Sequence, residues 1–161
     1  MSHANRAYAL SSSEGQAIWF SGLLATMKAV SSDTHNAFAL QEQVCPPGLQ
    51  PPLHLHHHQD EAFYILEGEV TVTCGEQVWR ATAGSFAFLP KGVAHTFKVE
   101  GATPARILVI TSPGGPFGFE YFVEEMGDPA PTLTIPPAGP PDEQRLLTLA
   151  EKYSIEVLFP S

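Results

Sequence analysis

The chain is dominated by short apolar runs, which are separated by glycine, proline and polar turns. In some runs apolar and polar residues alternate, and other runs are continuously apolar. Such runs are typical of β-strands, whereas the longer repeat of amphipathic helices is scarce. The spacing of the turns predicts an all-β fold, a sandwich or barrel of antiparallel strands. The predicted strands cover residues 16–20, 23–30, 36–45, 61–68, 69–74, 77–82, 85–90, 94–100 and 105–111.

The C-terminal part of the chain departs from this pattern. Asp142 is placed to cap a helix over residues 143–153, whose apolar face consists of leucines. A short strand or apolar clip is expected after it, at residues 155–159. The leucines of the helix are Leu146, Leu147 and Leu149. The full prediction is one domain over 1–161. It has the barrel core over about 16–112, an aromatic crossing segment over 113–126, a Pro-rich connection over 127–141 and a C-terminal helix and strand over 142–161.

Charge and composition narrow the range of partners. The 161 residues include 8 Lys and Arg against 17 Asp and Glu, a formal net charge of -9. The basic residues are scattered, so we expect neither nucleic acid nor an anionic membrane as a partner, because both require clustered positive charge. Two cysteines do not make a disulfide framework in a chain of this length. No stretch resembles a signal peptide or a membrane span, and a cytoplasmic location is expected.

Four potential metal ligands have spacings that fit a barrel. His54 and His56 fall on the same face of an extended strand, because side chains repeat every two residues. A turn is expected at residues 58–60, and Glu61 begins the run that follows it. His95 lies just past the turn at 90–92. Three imidazoles and one carboxylate predict a site for one divalent transition metal, which leaves Fe, Mn, Co, Ni, Cu and Zn open.

Two further histidines adjoin these ligands. His57 has the opposite parity and is expected to face solvent. His58 has the parity of the ligands but falls at the turn, so it is either a loop residue or a hydrogen-bonding partner of the site, and we favour the loop.

Two segments resemble the two conserved cupin motifs. GLQPPLHLHHHQDEAFYILEG (48–68) fits G(X)5HXH(X)4E(X)6G, and GSFAFLPKGVAH (84–95) fits G(X)5PXG(X)2H, with Val99 where the second motif usually continues to Asn. The chain is identified as a member of the cupin superfamily. IWFSGLLATMKA, SPGGPFGFEYF and LAEKYSIEVLFP further resemble small bacterial monocupins related to quercetin dioxygenase. This resemblance implies a single cupin barrel (double-stranded β-helix, or jelly roll) with a short C-terminal helix, holding its metal through the four ligands above.

The resemblance to quercetin dioxygenase implies a dioxygenase that uses O₂ to cleave a flavonol or another planar enolic aromatic. Glu61 is then both ligand and general base, and its burial is expected to raise its pKa. The scarcity of basic residues favours a neutral small-molecule substrate. The candidates for the pocket wall are aromatic residues of three kinds: those that share the parity of a ligand, a pair that shares one parity on its own strand, and those that follow the last barrel strand. They are Phe63, Phe86, Phe88, Phe97, Phe117 and Phe119.

Several alternatives stay open at this stage. The chain is either such an oxidoreductase, an oxygen-independent isomerase, cyclase or lyase that uses the metal as a Lewis acid, or a non-enzymatic binding protein. The segment that carries Phe117 and Phe119 is either a mobile aromatic flap over the site or a plainly packed crossing loop. A homodimer is expected from the resemblance and from the apolar N-terminal strands.

Overall fold

A computed structural model describes residues 6–159, so both ends of the expected domain (1–5 and 160–161) lie outside the described residues. The described chain is built mainly of β-strands, with two α-helices near its C-terminus. Its elements are β1 (Gln16–Phe20), β2 (Leu23–Ala29), β3 (Ala39–Cys45), β4 (His54–His56), β5 (Asp60–Glu67), β6 (Glu69–Cys74), β7 (Gln77–Thr82), β8 (Phe86–Leu89), β9 (His95–Val99), β10 (Ala105–Ser112), α1 (Phe119–Met126), β11 (Asp128–Pro129), α2 (Glu143–Lys152) and β12 (Ile155–Val157).

The strands form two antiparallel sheets that face each other. One has seven strands in the order β11-β1-β2-β3-β10-β5-β8, and the other has five in the order β12-β4-β9-β6-β7. Strands distant in sequence are neighbours in both sheets, as in a jelly roll, where long connections cross between sheets. The all-β fold predicted from the turn spacing, and the cupin barrel that the resemblance implies, are confirmed.

The core fills the space between the sheets because most strands alternate inward and outward side chains. In β3 and β10 every second residue is buried, the pattern of strands with one face on the core and one toward solvent. Burial of this apolar set is the main driving force for closing the barrel. The most deeply buried apolar side chains include Ile65, Val70, Val72, Leu89, Val99, Ile107 and Val109.

The C-terminal helix and strand occur where the sequence predicts them. Asp142 caps α2, and its side chain accepts a hydrogen bond from the backbone N–H of Arg145 at 3.0 Å. On α2 the buried residue is Ala150, whereas Leu147 of the predicted apolar face is exposed. The following strand β12 pairs with β4 through Ile155 opposite His56. The chain end therefore supports the strand that carries two of the candidate metal ligands.

One helix was not predicted from the sequence. Residues 119–126, expected to be part of an irregular aromatic crossing, form α1. Its buried face carries Phe119, Phe122 and Val123, which belong to the barrel core. The helix therefore closes part of one barrel end. Within residues 6–159, no helix has the length and apolar character that a membrane crossing requires.

Candidate metal centre

The four predicted ligands come from both sheets and meet between them. His54 and His56 lie on β4 and His95 on the neighbouring β9, with His54 and His95 directly opposite each other in the register. Glu61 lies on β5 of the other sheet. Only three residues join β4 to β5, so the chain passes directly from one sheet to the other. This short crossing brings the two histidines of β4 face to face with the carboxylate of Glu61.

The four side chains form one compact cluster. Each offers a ligand atom, and these atoms lie within 4.8 Å of one another. Glu61 Oε2 is 2.8 Å from His95 Nε2 and 3.3 Å from His56 Nε2. His56, Glu61 and His95 are 3%, 4% and 2% exposed, whereas His54 is only partly buried. His54 is therefore the least buried of the four residues.

Backbone carbonyl groups orient two of the imidazole rings. His54 Nδ1 lies 2.7 Å from the carbonyl oxygen of Pro52, and His95 Nδ1 lies 3.2 Å from that of Val93. In each case Nδ1 carries the proton and donates it to the carbonyl, which leaves Nε2 to bind a metal. The turns that precede β4 and β9 thus fix the orientation of the ligands that follow them.

The donor set fits a divalent transition metal. His56 Nε2 is buried and has no hydrogen-bond partner among the described residues. A buried polar atom without a partner is costly, and a metal bond would satisfy it. Three imidazole nitrogens and one carboxylate oxygen suit Fe, Mn, Co, Ni, Cu or Zn. The cluster could therefore hold a metal ion.

The electrostatics of the cluster favour the metal-binding forms of Glu61 and His54, but not that of His95. Burial raises the pKa of Glu61, but the adjoining His56 and His95 rings outweigh it and bring the pKa below its ordinary value. Burial and the neighbouring His95 and His56 rings lower the pKa of His54 to about 4. For His95, burial lowers the pKa, yet the hydrogen bond to Glu61 raises it overall. A carboxylate and a neutral imidazole are the forms that bind metals.

This result corrects the expectation that burial raises the pKa of Glu61. The two imidazole rings stabilise the charged carboxylate by more than desolvation destabilises it. Glu61 is therefore ionised at neutral pH, ready to bind a cation or to accept a proton.

The neighbouring histidines lie outside the cluster. His57 Nε2 is 3.0 Å from Glu156 Oε2 on the surface, and both side chains are 51% exposed. His58 is exposed in the β4–β5 loop, where its ring stacks on that of Phe117 with the centroids 4.5 Å apart. Both agree with the predicted solvent-facing and loop positions.

Four of the six predicted aromatic residues lie on the inward faces of the strands or in the segment after β10. Phe63 and Phe97 are buried, share the inward faces of Glu61 and His95, and meet edge to face at 5.5 Å. Phe119 packs against the His56 ring at 5.3 Å, also edge to face. Phe117 lies at the surface beside His58. Phe119 is thus packed in the core, as the alternative of a packed crossing loop expects, whereas Phe117 is 39% exposed.

The assignment of Phe86 and Phe88 to the pocket wall is wrong. They are 64% and 52% exposed, on the outer face of β8. The register explains this, because Ala62, on the outer face of β5, is opposite Phe88, whereas the inward-facing Glu61 is opposite Leu89. The narrow interior takes Ala87 and Leu89 instead.

Sequence reasoning missed three buried glutamines. Gln41 and Gln43 lie on the inward face of β3 and hydrogen-bond each other, with Gln43 Nε2 donating to Gln41 Oε1 at 3.0 Å. Their alternation with Ala39 and Cys45 is a signal that could have placed them inside. Gln59, in the β4–β5 loop, is 3% exposed, and no periodicity indicates its burial.

Comparison with known proteins agrees with this geometry. The family model described as the cupin domain matches residues 41–111, which include all four clustered side chains. Quercetin 2,3-dioxygenase of Bacillus subtilis (strain 168) is 27% identical over 122 residues, covering 76% of this chain and 35% of that protein. The xanthan biosynthesis protein XanB of Xanthomonas campestris pv. campestris is 30% identical over 82 residues, covering 51% of this chain and 18% of that protein.

The chain thus spans about a third of the length of the first relative and less than a fifth of the second. Among solved structures, a predicted oxalate decarboxylase from Thermotoga maritima superposes with a TM-score of 0.60 at 22% identity. The match covers 65% of this chain and 97% of the other. At that identity the likeness establishes the fold alone.

Proposed function

We propose that the chain, whose residues 41–111 match the cupin-domain family model, is a metal-dependent enzyme of the quercetin dioxygenase type. Its substrate would be a flavonol or another planar enolic aromatic. The observation that carries the proposal is the convergence of three imidazoles and one carboxylate between the two sheets. Among residues 6–159, the buried His56 Nε2 has no hydrogen-bond partner, and Glu61 Oε2 lies 3.3 Å from it. The similarity to quercetin 2,3-dioxygenase over 76% of the chain supports the reaction type.

In this proposal His54, His56, His95 and Glu61 hold one divalent transition metal. When bound, the metal would act as a Lewis acid toward a substrate oxygen. Glu61 is the group that takes the proton of the enolic hydroxyl, because it is the ionised carboxylate in the cluster. Phe63 and Phe97 form the apolar wall next to the inward ligands.

The interior favours a neutral substrate over a phosphorylated one. No lysine or arginine is buried anywhere between residues 6 and 159, so the barrel offers no basic side chain to neutralise a phosphate. Lys91, which precedes β9, and Lys98, which lies on it, are both exposed. An aromatic with one acidic hydroxyl suits this interior, because its rings are apolar and a single oxygen needs to be oriented.

Flavonol bleaching with detection of headspace carbon monoxide tests the reaction. O₂ adds both its oxygen atoms to the flavonol, two ring bonds break, and one ring carbon leaves as carbon monoxide. Protein loaded separately with Fe, Mn, Co, Ni or Cu is assayed in air and under argon, beside Glu61→Ala and the surface control His57→Ala. We expect metal- and O₂-dependent bleaching with carbon monoxide, retained in His57→Ala and lost in Glu61→Ala.

An O₂-independent change of the substrate would replace this proposal with a Lewis-acid isomerase, cyclase or lyase. No change of any flavonol with any bound metal would remove flavonols as substrates. Metal binding without any turnover would favour the small-molecule-binding alternative.

A further inference from the structure

Gln59 connects the metal-binding strands to the segment that follows the last barrel strand. It lies in the β4–β5 loop, between His56 and Glu61 in sequence. Its Nε2 donates to the carbonyl oxygen of Pro113 at 2.7 Å, and its Oε1 accepts from the N–H of Phe119 at 3.0 Å. The orientation of the amide is fixed, because the Pro113 carbonyl can only accept and the Phe119 N–H can only donate.

These two bonds hold both ends of residues 113–119, which we call the rim segment. A primary amide that is 3% exposed is costly unless it is hydrogen-bonded, and here both its functional groups are used. The bonds therefore stabilise the rim segment and Gln59 mutually. Deleting the amide would release Pro113 and Phe119 together.

The other side of the rim segment rests on the 31–36 turn. Gly114 N–H donates to the Asn36 carbonyl at 2.8 Å, and Gly115 N–H donates to Ser31 Oγ at 3.1 Å. The N–H and hydroxyl of Ser31 in turn both donate to Glu120 Oε1, a buried carboxylate at the start of α1. The backbone of the rim segment is thus fixed from two sides of the barrel mouth.

Two rings of the rim segment touch the chain that carries the metal ligands. Phe119 packs against His56, and Phe117 stacks on His58, two residues further along. Phe117 stays 39% exposed although its backbone is held. A planar ligand could therefore stack on a ring that is already positioned, without the cost of ordering it.

We propose that Gln59 is a positioning residue, which holds the rim segment so that Phe117, stacked on His58, selects planar ligands at the entrance of the metal site. This inference rests on the metal-centred function proposed above and adds the element that determines its ligand preference. Gln59 itself binds neither metal nor substrate in this role.

Hydrogen exchange of the metal-free protein tests the positioning step. In Gln59→Met, which removes both hydrogen bonds at similar side-chain size, amides of the rim segment should exchange roughly tenfold or more faster than in the wild type. Val70→Ala, a core truncation on β6, is the control for general destabilisation, and its rim amides should keep their relative protection. Unchanged rim exchange in Gln59→Met would overturn the proposal.

Ligand binding to Co²⁺-loaded protein tests the selection step. The probes are 4-nitrocatechol, a planar aromatic, and azide, a small ligand that does not need a stacking ring. Phe117→Ala and Gln59→Met should weaken the binding of 4-nitrocatechol by roughly tenfold and the binding of azide by less than twofold. Ser31→Ala, which releases the rim segment from the other side, should shift the ratio of the two probe affinities in the same direction.

Equal weakening of both probes, or of neither, would contradict the selective role of the rim segment. A merely destabilised protein would resemble Val70→Ala, with lower thermal stability and an unchanged probe ratio. Failure of the proposed reaction is distinguishable, because a wild type that turns over no flavonol would still give the exchange rates and the probe ratio. If Co²⁺ does not bind, the metal-centred function fails and so does the selection step, while the exchange rates still decide whether Gln59 positions the segment.

Discussion

At the residue scale, each of the four clustered side chains offers one ligand atom, and few neighbouring side chains could replace it as a ligand. His57 and His58 are the adjacent imidazoles, and they are engaged with Glu156 and Phe117 instead. Loss of one ligand therefore leaves an incomplete donor set. Even partners that only orient a ligand are commonly worth 10- to 100-fold in metal affinity.

We predict that His95→Ala holds less than about one tenth of the metal bound by the wild type after loading and gel filtration. His57→Ala, whose side chain is exposed, should hold the same amount as the wild type, about one ion per chain. Elemental analysis of the purified proteins measures both. A wild-type metal content in His95→Ala would show that the cluster is not the binding site.

The two thiols are predicted to be inert in the folded protein. Cys45 is fully buried, and burial raises its pKa to about 12. Its thiolate fraction at pH 8 is then about one in ten thousand, and the thiolate is the reactive form. Cys74 is 6% exposed, and burial raises its pKa too.

A colorimetric disulfide reagent at pH 8 should therefore detect almost no thiol in native protein and two per chain in guanidinium. The reaction of the thiols should follow unfolding, since unfolding restores both their access to the reagent and their ionisation. Rapid reaction of one thiol in the native state would contradict the packing described for these residues.

At the element scale, the turns between strands explain why particular glycines are required. Gly68, between β5 and β6, has φ +83°, and an added Cβ would lie 2.7 Å from the Pro104 carbonyl oxygen and 2.8 Å from Ala105 Cα. Gly84, before β8, has φ +89°, and no atom lies within 4 Å of its added Cβ. The two positions share the left-handed backbone and differ in crowding.

Gly84→Ala should lower the free energy of unfolding by about 1–2 kcal/mol, the cost of a left-handed backbone for an L-residue. Gly68→Ala should lower it by roughly 1–3 kcal/mol more, because backbone atoms must also move apart. Urea unfolding of both variants measures the difference. Equal losses would mean that the β5–β6 turn relaxes without cost.

The strands could be predicted from the sequence because alternation is a local property. The strand bounds over 16–20, 69–74 and 77–82 agree with the structure, and most others differ by one or two residues at an end. The helix α1 could not be found, because GFEYFVEEM follows a Pro- and Gly-rich turn and its apolar residues find their partners only in the assembled barrel. Tertiary packing, not propensity, stabilises so short a helix.

The candidate site was predicted more completely than the pocket around it. The spacing of His54, His56, Glu61 and His95 identifies the cluster without any knowledge of the sheets. The orientation of Phe86 and Phe88 depends instead on which residues of β5 and β8 are paired, and strand parity alone does not specify it. The pKa of Glu61 likewise depends on distances to His56 and His95 that only the fold defines.

At the scale of the whole molecule, the misassigned phenylalanines belong to an apolar outer face of the seven-stranded sheet. Tyr64, Phe86 and Phe88 are 41%, 64% and 52% exposed on neighbouring strands. In the register, Leu108 is opposite Tyr64 and Ile110 is opposite Ala62, which extends the apolar rows onto β10. Contiguous exposed apolar surface of this kind is characteristic of interaction sites.

The expected homodimer can be tested at this face. A second copy would bury these aromatic side chains, which contribute most to interface energies. Phe88→Glu should weaken dimerisation by roughly thirtyfold or more, the effect of about 2 kcal/mol. Leu133→Glu is the matched control, because Leu133 is also 52% exposed but lies in the Pro-rich connection.

Sedimentation velocity at micromolar concentration distinguishes the outcomes. We expect a dimer for the wild type and Leu133→Glu, and a monomer for Phe88→Glu with unchanged circular dichroism, since an exposed side chain can be replaced without disturbing the core. A dimeric Phe88→Glu would place the contact elsewhere, with the N-terminal strands as the next surface to test. A monomeric wild type would show that dimerisation is wrong for this chain, and the outer face would then need another partner to cover it.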